Sequence, residues 1–175
     1  MATNLEFIKS VETTSTVTSL DISNVFTATY DVYFLSLESY EAAGTGSGTF
    51  PYIDFRYLKA SDGSADTTSN YDYAYVELNQ TAAFGDGNNT DQSVFRCAIT
   101  SGVDAWAGGL SMYIFNPFDS GLYTYTNSQT AIYYSGGNYP LGYKAISAHK
   151  VAQSNSGMQL QLGVDACKFN MYGVK

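Results

Sequence analysis

Polarity alternates with a period of two along most of this chain, and that pattern restricts the fold more than any other feature of the sequence. The segments 52–58 and 71–78 show it clearly, and at the amino terminus it assigns Leu5, Phe7 and Val11 to one face. A β-strand points successive side chains to opposite faces, whereas an amphipathic helix needs apolar residues three and four positions apart. A helical stripe of that kind is hard to find. The chain is therefore predicted to be all-β.

Segments of strand length recur every 8–15 residues, with turn-forming sequence between them. Glycine-rich polar stretches at 43–48 and 85–91 are predicted to be loops, because glycine lacks a Cβ and interrupts regular structure. The spacing favours an antiparallel two-sheet β-sandwich, jelly-roll-like and of about ten strands, over βαβ units. No linker divides the chain, so residues 1–175 are predicted to form a single domain. The predicted strands are 5–11, 16–22, 30–37, 52–58, 71–78, 93–100, 110–115, 122–126, 130–134, 158–162 and 167–174, and 144–151 fits either a strand or a short helix.

The segment 30–37 departs from the alternation because it is apolar at nearly every position. Its sequence is YDVYFLSL, and polar residues bound it. A short continuous apolar run is typical of a strand with packing on both faces. We therefore predict that 30–37 is a central strand covered on both sides.

The charge balance argues against one class of partner, the nucleic acids. Eight basic residues stand against 16 acidic ones, for a net charge of -8. A nucleic acid would be repelled by that field, so no nucleic-acid partner is expected.

The amino terminus has neither a basic region nor an apolar stretch, so it does not have the pattern of a secretory signal. Because no stretch of about 18 apolar residues occurs either, no membrane span is predicted.

Residues that could carry chemistry are scarce. The single His149 has no partner that the sequence identifies, so it is interpreted as an ordinary strand or surface histidine. The segment 86–91 offers oxygen ligands at alternate positions, as calcium loops do, but lacks the glycine and the acidic residue that such a loop needs. Cys97 and Cys167 lie in apolar runs and are interpreted as buried thiols, with a disulfide between neighbouring strands as the alternative. No catalytic residue, metal or cofactor is predicted.

Tyrosine is unusually abundant, with 16 residues in the chain. Tyrosines crowd the region 123–143, and one interpretation is that their rings fill the core or an oligomer interface. The other interpretation is a surface that binds a partner protein or a glycan by ring stacking and hydrogen bonds. The candidate residues for such a surface are Tyr123, Tyr125, Tyr133, Tyr134, Tyr139 and, in a Gly/Ala-rich segment, Trp106.

Several short motifs, taken in order, resemble those of small structural proteins of tailed bacteriophages, of the type found in phages of marine bacteria and cyanobacteria. They read LEFIKSV at 5–11, TYDVY at 29–33, YDYAY at 71–75, IFNP at 114–117 and FNMYGVK at 169–175. The resemblance implies a β-sandwich module of a tail fibre or capsid surface, located in the virion after synthesis in the host cytoplasm. It also implies other virion proteins as partners and a homo-oligomer, with a trimer favoured.

Three functions follow as hypotheses. The first is a non-enzymatic virion structural protein exposed on the particle, as a capsid decoration (cement) protein or a tail-fibre component. The alternative is a receptor-binding adhesin that recognises a host surface glycan. A depolymerising hydrolase is disfavoured, because it would need two carboxylates about 5–10 Å apart in a cleft, whereas the acidic residues here lie mostly in turn-like sequence.

Overall fold

The computed structural model describes residues 4–42, 52–79, 84–99, 109–134, 139–161 and 164–175. These residues form twelve β-strands and no helix, so they contain none that could cross a membrane. The strands are β1 Leu5–Thr13, β2 Leu20–Ile22, β3 Val32–Ala42, β4 Tyr52–Lys59, β5 Tyr71–Asn79, β6 Phe84–Gln92, β7 Phe95–Ile99, β8 Gly109–Phe115, β9 Thr124–Tyr134, β10 Tyr139–His149, β11 Asn155–Leu160 and β12 Val164–Val174.

All strand pairs are antiparallel, and the strands form two sheets. One sheet has the order β1-β12-β3-β8-β9-β10-β5-β6, and the other has the order β2-β11-β4-β7. If the four strands β5, β6, β9 and β10 are set aside, the other eight can be renumbered 1 to 8 along the chain. Their orders in the two sheets are then 1-8-3-6 and 2-7-4-5. This is the order of a jelly roll, so the predicted fold class is confirmed.

Two inserted hairpins enlarge one of the jelly-roll sheets. The β5–β6 hairpin follows β4 along the chain, and the β9–β10 hairpin follows β8. The four inserted strands pair side by side beyond β8. The larger sheet therefore has eight strands, whereas the smaller sheet keeps four.

The inner faces of the two sheets enclose one main hydrophobic core. The smaller sheet contributes Phe55 and Phe95, whose rings stack with centroids 6.0 Å apart, and Phe55 meets Phe169 of the larger sheet edge-on at 6.0 Å. Tyr71 and Tyr73 of β5 also point inward, since alternate residues of a strand share one face. Aromatic side chains bury large areas, and such ring pairs add about 0.5–1.5 kcal/mol each.

Two predictions about strands were wrong. The segment 85–91 lies in β6 rather than in a loop. Its Gly87 lets the end of the Tyr75 ring lie against the β6 backbone, where a Cβ would be 2.6 Å from the ring. Glycine can therefore serve close packing within a strand and does not by itself indicate a turn. The polar stretch between 122–126 and 130–134 does not end a strand either, since β9 runs without a break to Tyr134. The ambiguous segment 144–151 lies mostly in β10.

The predicted face of the first strand was also wrong. The register moves from Phe7 opposite Tyr172 to Lys9 opposite Met171, so Ile8 is an extra residue in the ladder. A bulge of this kind shifts the alternation by one position. As a result Ile8 packs on the core, while Phe7 is 58% exposed.

Candidate functional site

The one histidine lies in a buried polar cluster between the sheets. His149, at the end of β10, is 1% exposed, and its Nε2 lies 2.9 Å from Oδ2 of Asp66. Its ring stacks on Tyr71, with centroids 4.6 Å apart. Asp66 also accepts hydrogen bonds from the backbone N–H of Thr68 at 3.0 Å and from Nε2 of Gln153 at 3.3 Å. The cluster joins the β4–β5 connection to β10.

The ionisation of this pair follows from its enclosure. Burial lowers the pKa of His149 below 6.5, although the hydrogen bond to Asp66 opposes that change. Burial opposes ionisation of Asp66, but hydrogen bonds from Thr68 and His149 outweigh it and lower the pKa of Asp66. Because neither side chain faces solvent, the pair can hold the fold together but does not meet a substrate in this conformation.

Both cysteines are buried and unpaired, which confirms that they are buried thiols. Burial raises the pKa of Cys97 well above its ordinary value and that of Cys167 to about 11. Among the described residues, no group of three His, Cys, Asp or Glu side chains is arranged to hold a metal.

The predicted tyrosines do not form one patch. Tyr123, Tyr125 and Tyr133 are each about two-fifths to one-half exposed, but Tyr125 and Tyr133 are eight residues apart on β9. That separation corresponds to about 27 Å along a strand. Tyr139 is half-buried against a smaller core cluster. Tyr134 ends β9, and Trp106 and the predicted loop 43–48 lie outside the described residues.

The most unusual surface is the outer face of the eight-stranded sheet, which faces away from the smaller sheet. One cross-strand row on this face runs across all eight strands, from the edge strand β1 to the edge strand β6, and contains no charged residue. We call this the central row, and its register-matched members are Phe7, Tyr172, Phe34, Tyr113, Asn127, Ile146, Ala74 and Asn88. A second row next to it places Val174, Val32, Phe115, Tyr125 and Ala148 side by side.

The aromatic rings of the central row touch in sequence across four strands. The ring centroids of Phe7 and Tyr172 are 5.7 Å apart, those of Tyr172 and Phe34 6.1 Å, and those of Phe34 and Tyr113 5.1 Å. Phe7 and Ile146 are 58% and 57% exposed, and Tyr113 is 44% exposed. Large apolar side chains exposed in one continuous strip mark an interaction surface, whereas scattered ones do not.

A groove of about 620 Å³ lies at the β9–β10–β5–β6 end of this face. Small side chains such as Ala74 and Ala148 form part of its floor, and Phe115, Tyr125 and Ile146 form apolar walls. Asn88, Asn89, Asn127 and Asp72 also line it. The Asp72 carboxylate pairs with Lys150, whose Nζ lies 2.9 Å away and also contacts Asp91 at 2.6 Å. The groove therefore offers an apolar cavity with amide groups around it.

Sequence reasoning placed the tyrosine surface along 123–143, but the central row crosses all eight strands of the larger sheet, from Phe7 on β1 to Asn88 on β6. The apolar run at 30–37 was the one sequence feature that indicated an apolar outer face. The run 30–37 indicated a strand covered on both faces, and β3 is covered only on its inner face, where Tyr33, Leu35 and Leu37 are buried. On its outer face Phe34 and Ser36 are half-buried and Glu38 is exposed.

No family model matches the chain, and a search of curated proteins finds no match to it.

Proposed function

We propose that this chain is a non-enzymatic structural protein of a bacteriophage particle, exposed as a capsid decoration or a tail-fibre component. In this proposal the outer face of the eight-stranded sheet is the surface through which it assembles. The observation that carries the proposal is the uncharged central row with its exposed Phe7, Tyr113 and Ile146. Interfaces place aromatic residues at their centre and exclude charge from it.

The fold and the sequence resemblance both support this role. Viral capsid proteins are among the established users of the jelly roll, although lectins and cupins use it too. The motif at 169–175 that carries part of the resemblance contributes Tyr172 to the central row. The buried position of His149 is also in keeping with a structural protein, because the one histidine is occupied in holding the fold.

The test is incorporation into particles. A phage lacking this gene would be complemented with wild-type protein, with Tyr113→Asp in the central row, or with Leu122→Asp as a control. Leu122 is 48% exposed and lies in the turn before β9, off the outer face. We expect mass spectrometry of purified particles to find wild-type and Leu122→Asp chains and to find little Tyr113→Asp.

Circular dichroism and urea denaturation would establish that both variants fold. The proposal is wrong if the wild-type chain is missing from purified particles. Normal incorporation of a folded Tyr113→Asp chain would refute the part played by the outer face.

The groove favours one alternative, a receptor-binding adhesin. An exposed ring at Tyr125 can stack on the apolar face of a sugar, and the amides of Asn88 and Asn127 can bond to its hydroxyls. Tyr125→Ala should then abolish binding to host cells or to their surface glycan. Tyr133→Ala, on the same strand but outside the groove, is the matched control. Equal binding by both variants and the wild type would exclude this use of the groove.

A further inference from the structure

We infer that the outer face binds a second copy of this chain, in a two-fold dimer that joins the two eight-stranded sheets face to face. The inference rests on the proposed function, because it names the occupant of the same surface. Three properties of the face carry it: its size, its charge and the different shapes of its two ends.

The face supplies a contact at the lower end of the size range of specific interfaces. Placing Phe7 over Ile146 aligns the six strands from β1 to β10 of each copy. Strands about 4.8 Å apart then span about 24 Å, and three successive outward residues occupy about 20 Å along each strand. The product is about 480 Å² on each copy, or about 960 Å² in total, close to the roughly 1,000 Å² expected of a specific interface. A third row adds the uncharged residues Ser10, Asn170, Ser36, Ser111 and Gln129, and it carries charge only beyond them, at Lys144 on β10 and Asp86 on β6.

The distribution of charge favours a copy of the same chain over a basic partner. The molecule carries a net charge of -8, but the central row contributes none of it. A basic protein would be drawn to the acidic surface elsewhere, where the carboxylates are. Two copies can meet at the central row without placing carboxylates opposite each other, and like charges directly opposed would be costly.

The two ends of the face differ in a way that suits a two-fold axis. At the β1 end the Phe7 ring projects, and at the other end the groove opens beside Ile146 and Ala74. A two-fold axis parallel to the strands lays the β1 end of each copy over the groove end of the other. Each copy then supplies both a projecting ring and a groove, which is the reciprocal contact of an isologous dimer. Such a contact closes with two copies rather than three.

The closing experiment uses the full chain and two single variants with opposite charges. Phe7→Lys alters the projecting ring, and Ile146→Asp alters the groove wall. Both positions are more than half exposed, so both chains should fold. Sedimentation velocity should find a wild-type dimer, and each variant alone should dimerise about 100-fold more weakly, because charge enters an apolar contact. Leu122→Asp should remain a dimer.

The two variants mixed in equal amounts should recover the dimer. In the mixed pair Lys at position 7 meets Asp at position 146, while the second contact keeps its wild-type residues. A wild-type monomer, a trimer, unchanged dimerisation of either folded variant, or a mixture that stays monomeric would each overturn the inference. A monomer that still enters particles would leave the proposed function standing, whereas a dimer absent from particles would refute that function alone.

Discussion

His149 makes the stability of the protein depend on pH in a defined window. The folded chain holds its imidazole with a pKa below 6.5, because burial penalises the charged ring. As the pH falls below 6.5 the unfolded chain binds a proton that the folded chain does not, so the free energy of unfolding decreases until the folded pKa is passed. Asp66 has a lowered pKa and adds a similar loss only below 3.8.

Replacing His149 with glutamine should remove that loss. Glutamine can still donate a hydrogen bond to Asp66 and does not titrate, although losing the stack on Tyr71 should cost about 1–2 kcal/mol at neutral pH. The measurement is the urea midpoint from pH 7.5 to pH 5, where the wild type should decline and His149→Gln should stay level. Parallel declines would assign the pH dependence to other groups.

For single residues, the sequence predicted burial better than it predicted which residues interact. It indicated buried thiols at Cys97 and Cys167, because local apolar patterns contain that information, but it left His149 open between a strand and a surface position. It did not identify Asp66 as the partner of His149. The two residues are 83 positions apart and meet only because the β4–β5 connection lies over the end of β10.

Among the strands, β11 depends on one glycine. It lies between β2 and β4 in the smaller sheet, and Gly157 faces the backbone at the end of β2. A Cβ at Gly157 would lie 2.1 Å from the carbonyl oxygen of Ile22 and 3.0 Å from Cα of Ser23. Backbone atoms cannot rotate away as a side chain can, so the strands would have to separate.

Gly157→Ala should therefore lower the free energy of unfolding by about 3 kcal/mol or more. Gly142→Ala in β10 is the matched control, since the nearest atom there is Cβ of Leu78 at 3.4 Å, an ordinary contact. Its effect should stay within about 1 kcal/mol. Urea denaturation of both variants checks the difference, and equal effects would contradict it.

Strands with polar or glycine-rich sequences were the ones that the pattern missed. In β9 the inward residues Thr124, Thr126, Ser128 and Thr130 are all buried, so most of the buried face of this strand consists of polar side chains. Their hydroxyls find partners inside the sandwich: Ser128 donates to the carbonyl oxygen of Cys97 at 2.6 Å, and Thr126 bonds with Ser147. Hydrophobic alternation cannot identify a strand whose buried face is satisfied by hydrogen bonds.

For the whole molecule, the class of fold was predictable but the strand order was not. Regular spacing of strands indicates a sandwich, whereas the pairing of β12 with both β1 and β3 joins segments from opposite ends of the chain. The central row is a consequence of that order. Phe7, Tyr172, Phe34 and Tyr113 come from four separate segments and become neighbours only in the finished sheet.

The same arrangement predicts how salt affects self-association. Two copies that each carry a charge of -8 repel one another at a distance, while the row where they meet is uncharged. Raising the salt from about 20 mM to about 0.5 M shortens the Debye length from about 20 Å to about 4 Å and screens that repulsion. The dimer dissociation constant should therefore fall, as sedimentation at fixed pH would measure. A contact held by ion pairs would respond in the opposite way, so weaker association at high salt would contradict dimerisation through this face.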